Sequence, residues 1–280
     1  MTPIANALSV DVEEYYHAAV FREGTRRSGQ VPLQSRVEGN VDRLLELFGA
    51  HQARATFFVL GEVAAVCPAM IRRIAGHGHE VGCHGHDHSS VSAHTASSFR
   101  ADVRSAKARI EDALGEPIVG YRAPNFSIGR AEQRWAYEVL LDEGFRYDSS
   151  SYPILHDRYG DPYAPRFPYD AWTDGTRRLV EFPIGTARLL GVNLPIGGGG
   201  YFRLLPAAWV RQGLRHVNVR ERKPVMFYLH PWELDPDQPR APMPWPNRFR
   251  HYVGLRRLAG KLGHLLSHFT FQPAREILCL

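Results

Sequence analysis

Four short segments hold residue types that do chemistry when brought together. The densest is Cys83-His84-Gly85-His86-Asp87-His88, in which His84 and His88 stand four apart and can converge on one metal from a helical turn or a tight loop. Histidine is locally abundant, with His77, His79 and His94 nearby, and a His-rich loop also occurs as plain solvated surface. The second segment, Asp11-Val12-Glu13-Glu14, closes an apolar run. Residues two apart on a strand share a face, which puts Asp11 and Glu13 on one side. Two neutral imidazoles and one carboxylate leave zinc an open position for water, and a second carboxylate can take that water's proton. A solvated acidic helix start is the bland alternative for this segment.

The third segment is Tyr121-Arg122-Ala123-Pro124-Asn125-Phe126, where an Arg at a strand end can orient a carboxylate base and lower its pKa. In the fourth, Met226 to Trp232, an apolar strand delivers His230 at its end. A lone His there is more often structural. Beside a metal site it can protonate a leaving amine, with an acid near Asp148 raising its pKa.

Elements that position these residues alternate along the chain. Ala7 to Val12, Ala55 to Leu60, Glu80 to Cys83, Ile118 to Tyr121, Leu179 to Ile184 and Val225 to Leu229 read as strands. Val37 to Phe48, Glu62 to Ala75 around Pro68, Phe99 to Leu114, Ala131 to Glu143, Pro206 to about Val217 and Phe249 to Leu266 read as helices. The aromatic, Pro-rich stretch Tyr152 to Trp172 reads as a long loop. Repeated β-α units form either an open sheet or a barrel. Asp11, His84, Arg122, Asp148 and His230 all fall at predicted strand ends, where barrel enzymes assemble their sites.

With 280 residues, an apolar fraction of 44% and mean hydropathy of −0.30, the chain reads as one soluble domain. No apolar run is long enough for a stable membrane insertion, and no secretory leader is visible, so a cytoplasmic location is expected, with the inner face of the membrane as a place of association. Cys67, Cys83 and Cys279 are far apart and read as reduced thiols. The net charge of +5 is carried almost wholly by scattered Arg, which argues against nucleic acid as a partner.

Taken together and in this order, the motifs resemble those of the NodB-homology polysaccharide deacetylases, carbohydrate esterase family 4. SVDVEEYY resembles the family's first motif, HGHDH the second, YRAPNF the third, the YDSS segment part of the fourth and FYLHPW the fifth. Gly198 to Pro206 and Tyr228 to Glu233 are similar to a subgroup found with exosortase-type exopolysaccharide loci. The resemblance implies an α/β fold, a distorted (β/α) barrel with fewer than eight strands, with about 235–280 as a family-specific extension. It implies Zn2+, or another divalent transition metal such as Co2+ or Ni2+, held by Glu13, His84 and His88. It further implies Asp11 as base, Arg122 as its tether and His230 as acid, with Asp148 among the catalytic set. The usual first motif has adjacent aspartates; here Val12 intervenes, so Glu13 is the choice from strand geometry and Glu14 the alternative.

The expected substrate is an N-acetylated polysaccharide or oligosaccharide. Asn125, Phe126, Tyr201 and Trp232 are its candidate contacts, and Tyr152, Tyr163 and Trp172 lie in the same predicted mouth loops, although packing is the commoner use of aromatics. A backbone N–H near Asn125 is the expected oxyanion donor. Two rivals stand beside this reading: a metal-independent, allantoinase-like amide hydrolase of the same fold, and a non-catalytic glycan-binding protein.

Overall fold

The computed structural model describes residues 4–18, 21, 34–128 and 131–280. Strand β1, Asn6–Val12, is buried over all seven residues, as expected of a parallel strand with neighbours on both edges and layers on both faces. It pairs in parallel with β2, Thr56–Val59, on one side and with β10, Met226–Leu229, on the other. From β2 the sheet continues in parallel through β3, Glu80–Cys83, β4, Gly120–Tyr121, β5, Tyr147–Asp148, and β7, Arg178–Glu181. Strand β6, Tyr169–Thr173, lies antiparallel on the outer edge. The order β10-β1-β2-β3-β4-β5-β7-β6 therefore contains seven parallel strands, and β11, Phe271–Gln272, adds a short second pairing to β1. A distorted (β/α) barrel with fewer than eight strands is what the resemblance implied; the curled α/β sheet is of that kind, with seven parallel strands and additional edge pairings.

Backbone hydrogen bonds curl the sheet toward closure. After β7, the N–H groups of Phe182 and Ile184 donate to Asp148 and Ser151, while Gly185 donates to Met226 on β10. Tyr228 then donates to Gly197, so 182–185 and 197–198 bridge the gap between the β5 and β10 ends of the sheet.

Helices cover the outside. Helix α1, Val37–Ala50, buries Val37, Val41, Leu44, Leu45 and Phe48 on one face. The expected helix around Pro68 is two, α2, Gly61–Val66, and α3, Pro68–Gly76, because Pro68 lacks an N–H and suits a first turn rather than an interior. Helix α4, Ala96–Leu114, starts at a Thr95–Ser98 capping box and stops at left-handed Gly115. It is followed by α5, Trp135–Asp142.

Further along, the structure departs from the sequence reading. Tyr169–Thr173 forms β6 where a loop was expected, and the hairpin β8, Thr186–Leu189, with β9, Val192–Pro195, has no counterpart in that reading. Helices α6, Gly199–Leu204, and α7, Ala207–His216, lead to β10. The final expected helix is split into α8, Trp245–Tyr252, and α9, Leu255–Leu266, by Gly254 at φ 75°. A short α10, Ala274–Ile277, follows β11.

Gly198 marks the closure. Its φ of 108° and ψ of −151° lie where only glycine is comfortable, and a Cβ there would run into the Tyr228 carbonyl. Gly198→Ala should lower stability by about 2 kcal/mol or more, measured by urea unfolding; a change within experimental error would mean that the seam is loosely held.

Candidate active site

All five strand-end residues lie along the C-terminal edge of the sheet. Asp11, in register with Phe58, is buried on β1, and its Oδ1 accepts a 2.7 Å hydrogen bond from Arg122 Nη1. Arg122, just past β4, has no exposed surface. It also donates to Ser9 Oγ at 2.8 Å, to the Ser149 carbonyl at 2.9 Å and to Ser149 Oγ at 2.8 Å. Arg122 thus holds the Asp11 carboxylate in place, and its guanidinium stacks over Phe58 at 4.4 Å.

Two residues on, the chain turns, with the Glu13 N–H donating to the Asp11 carbonyl. Glu13 Oε1 accepts from Trp232 Nε1 at 3.0 Å, while Oε2 lies 2.6 Å from His88 Nε2 without meeting hydrogen-bond geometry. The loop after β3 supplies the imidazoles. Gly85 and His88 at positive φ bend it so that His84 and His88 approach each other, with ring centroids 5.4 Å apart. Donor atoms of Glu13, His84 and His88 all lie within 4.8 Å of one another. His84 Nδ1 is engaged by the Arg122 carbonyl at 2.8 Å, which leaves Nε2 as the ligating nitrogen. Burial pushes the His84 pKa down to about 4, against the pull of Asp11, so the ring is neutral, the form that binds metals. One buried carboxylate oxygen without a hydrogen bond and two imidazoles at this spacing fit a divalent ion of the zinc class.

The choice between the two glutamates has a structural answer. Glu14 Oε1 accepts from Ser35 Oγ at 2.6 Å and from the Arg36 and Val37 N–H groups at 2.8 and 3.1 Å, holding the start of α1. It is Glu13 that joins the histidines.

His230 ends β10 with 18% of its side chain exposed. Its Nε2 lies 3.9 Å from Asp11 Oδ2 and 3.7 Å from Glu13 Oε1. The acid that partners it is not near Asp148, as expected from the sequence, but is Glu233, three residues on. Glu233 Oε2 lies 3.4 Å from His230 Nδ1 and accepts the His230 N–H at 3.0 Å. Burial would lower the His230 pKa, but the hydrogen bond to Glu233 and the charges of Glu13, Glu233 and Asp11 outweigh it and raise it to about 9. Glu233 is itself held by Arg203 Nε at 2.6 Å, and Arg203 also donates to the carbonyls of Arg250, His251 and Val253. The His-x-x-Glu spacing is a capping-box signal that could have identified Glu233 from sequence.

Several expected contacts have other roles. Asp148 is fully buried, its carboxylate accepting from Ser150 Oγ at 2.7 Å and Ser150 N–H at 3.2 Å. Phe126 packs edge-on against Tyr152, Tyr159 and Tyr228 rather than presenting a sugar platform. Trp232 is sandwiched between His230 and His251, at 5.1 and 4.7 Å, so its faces are not available to a ring. Tyr152 is buried and Trp172 lies on the edge strand β6, while Tyr163 is exposed. Asn125 stays at the mouth: it donates to Ser90 Oγ at 3.0 Å and lines a pocket of about 130 Å3 with Ser127, Gln133 and Tyr159. Tyr201 is half-buried next to Tyr152 and His156.

Asp148 shares a proton with a residue the sequence did not flag, Glu181 on β7. Burial pushes both carboxyls up, and the Asp148 charge pushes Glu181 well further, so Glu181 keeps the proton and donates it to Asp148. A carboxyl that binds its proton more tightly folded than unfolded contributes fully in acid, and its contribution is lost as pH rises through the folded pKa. Glu181→Gln, which retains a donor toward Asp148, should therefore match the wild type at acidic pH and become the more stable of the two toward alkaline pH. Denaturant melts across pH check this; parallel curves would show that the pair holds no such proton.

Comparisons with known proteins bear on the whole arrangement. Residues 30–138 match the family described as polysaccharide deacetylase, and residues 149–279 match a domain of unknown function, DUF3473. A peptidoglycan deacetylase of Helicobacter pylori is 32% identical over 136 residues, 49% of this chain and 43% of the relative, so the chain spans less than half the length of that curated protein. A structure from Mycobacterium smegmatis described as a candidate polysaccharide deacetylase superposes with a TM-score of 0.58 at 20% identity, covering 97% of this chain and 91% of the other. A PuuE allantoinase structure gives 0.61 at 17% identity, with 98% and 88% covered. At these identities the two structures establish the fold.

Proposed function

We propose that this chain, whose residues 30–138 match the polysaccharide deacetylase family, is a metal-dependent hydrolase that removes N-acetyl groups from amino sugars of a polysaccharide. The observation that carries this reading is the meeting of Glu13, His84 and His88 within 4.8 Å, beside an Arg-held Asp11 and a carboxylate-held His230. Glu13, His84 and His88 would hold the ion, zinc foremost, with cobalt or nickel as alternatives. When bound, such an ion supplies Lewis acidity toward an amide carbonyl and toward water.

The chain's own residues supply the proton traffic. Asp11, fixed by Arg122, takes the proton of the attacking water. His230, whose pKa is raised by the Glu233 hydrogen bond and the nearby carboxylates, gives a proton to the sugar nitrogen as the C–N bond breaks, releasing acetate and a free amine. A backbone N–H near Asn125 faces the developing oxyanion, and Asn125 and Tyr201 contact the glycan. The similarity of Gly198 to Pro206 and Tyr228 to Glu233 to the exosortase-locus subgroup supports a role in exopolysaccharide biosynthesis on the cytoplasmic side, and the DUF3473 match is compatible with it. A single domain is the organisation we favour, since strands from both matched stretches enter one sheet.

The test begins with metal content by elemental analysis. Near one equivalent of a transition metal is expected in the wild type and loss of it in His84→Ala, whereas Asp11→Asn should retain metal and lose acetate release from N-acetylated glycans. A wild type that stays metal-free after reconstitution would favour the allantoinase-like or binding-protein reading.

Glu233→Gln removes the carboxylate whose hydrogen bond and charge raise His230. The rate should fall as pH rises through the His230 pKa, and in this variant the fall should set in at lower pH. An unchanged alkaline limb would remove Glu233 from the acid's environment.

A further inference from the structure

The hairpin β8–β9 stands apart from the main sheet and is turned by Leu190 and Gly191, both at positive φ, 50° and 83°. A two-residue turn of this kind favours Asn, Asp or Gly at its first position, and a branched apolar side chain is poorly suited to left-handed backbone. Yet Leu190 occupies it and is 96% exposed, flanked by Leu189 at 55% and Val192 at 59%. Nothing in folding calls for three exposed aliphatic side chains around this turn.

The surroundings of the hairpin are cationic. Residues 182–230 contain seven Arg or Lys and one Glu, whereas the whole chain has 34 against 29, so this stretch concentrates the positive excess. Arg166 ties the base of the hairpin to that Glu, donating to the Thr186 carbonyl at 2.7 Å and to Glu221 Oε2 at 2.6 Å. Exposed Arg220, Arg222 and Lys223 adjoin Glu221 in sequence, and exposed Arg188 lies on β8 itself. Arg215 and Arg222 also border a cleft of about 810 Å3 with His51 and His268, and no Asp or Glu is among its described lining residues.

We propose that this face docks on an anionic lipid bilayer, the Leu189, Leu190 and Val192 tip entering the interface while the neighbouring cations meet acidic headgroups. An apolar projection that carries Arg188 and is tied at its base to the segment of Arg220, Arg222 and Lys223 suits that surface. A second copy of the chain suits it poorly, because a two-fold contact would set like charges together and three side chains fall short of the roughly 800 Å2 per partner of a stable dimer. Among the described residues no helix is long and apolar enough to cross a membrane, and this mode of attachment needs none.

The proposal is independent of the catalytic reading and is tested without substrate, by flotation of the full chain with vesicles. The wild type should float with phosphatidylglycerol-containing vesicles, poorly with pure phosphatidylcholine, and less as salt rises. Leu190→Asn suits the turn better, so it should melt no lower than the wild type while flotation falls severalfold; Arg220→Glu with Lys223→Glu should also reduce it. No flotation of the wild type, or undiminished flotation of Leu190→Asn, overturns the proposal. So does a concentration-dependent dimer in light scattering that Leu190→Asn abolishes, since the tip would then be a contact between copies.

Discussion

The guanidinium of Arg122 reaches from the end of β4 to β1 and to the strand end at Ser149, donating to Asp11, to Ser9 and to both oxygens of Ser149. A charge with no exposure is tolerated only when its donors are matched and its counter-charge is close, and here both conditions are met. Its backbone carbonyl engages His84 Nδ1. One residue therefore orients a carboxylate on β1 through its side chain and an imidazole beyond β3 through its main chain. Lys could replace the charge but not the fork that spans three segments.

How much of this could be read from the sequence follows the range of each interaction. Asp11, His84, Arg122 and His230 were legible because each lies at or just past a strand end, with Glu13 and His88 in the turns that follow, and parallel strands deliver their ends to one edge. What the sequence left open were contacts set by long-range packing. Glu13 and Glu14 are adjacent, and only the arrival of Ser35 to Val37 shows that Glu14 holds the start of α1. An acid near Asp148 was expected beside His230, and the fold puts Glu233 there instead. Phe126 and Trp232 looked like sugar platforms because aromatic composition does not reveal which rings are sandwiched. The strand β6 and the β8–β9 hairpin were missed where mixed polar and apolar residues give no clean period; the exposed tip broke the usual turn chemistry as well.

The C-terminal part takes a share in the site that its distance in sequence conceals. Arg203 clamps Glu233 and reads the carbonyls at the end of α8, while His251, from the same helix, closes the far face of Trp232. Burial pushes the His251 pKa down to about 3, so this ring is a neutral packing surface. Trp232 in turn donates to Glu13. Helix α8 thus supports both the imidazole at the end of β10 and the carboxylate beyond β1 without touching either.

β1 lies between β2, the next strand in the chain, and β10, which is made only after every other strand of the main path. For a chain made N-terminus first, this neighbourhood sets a sequence of assembly. Glu13, His84 and His88 are all synthesised well before His230, Glu233 and α8, which can seat only after β10 has been added beside β1. The carboxylate and imidazoles from the first half of the chain therefore precede His230, and the site stays incomplete until the barrel seam is sewn.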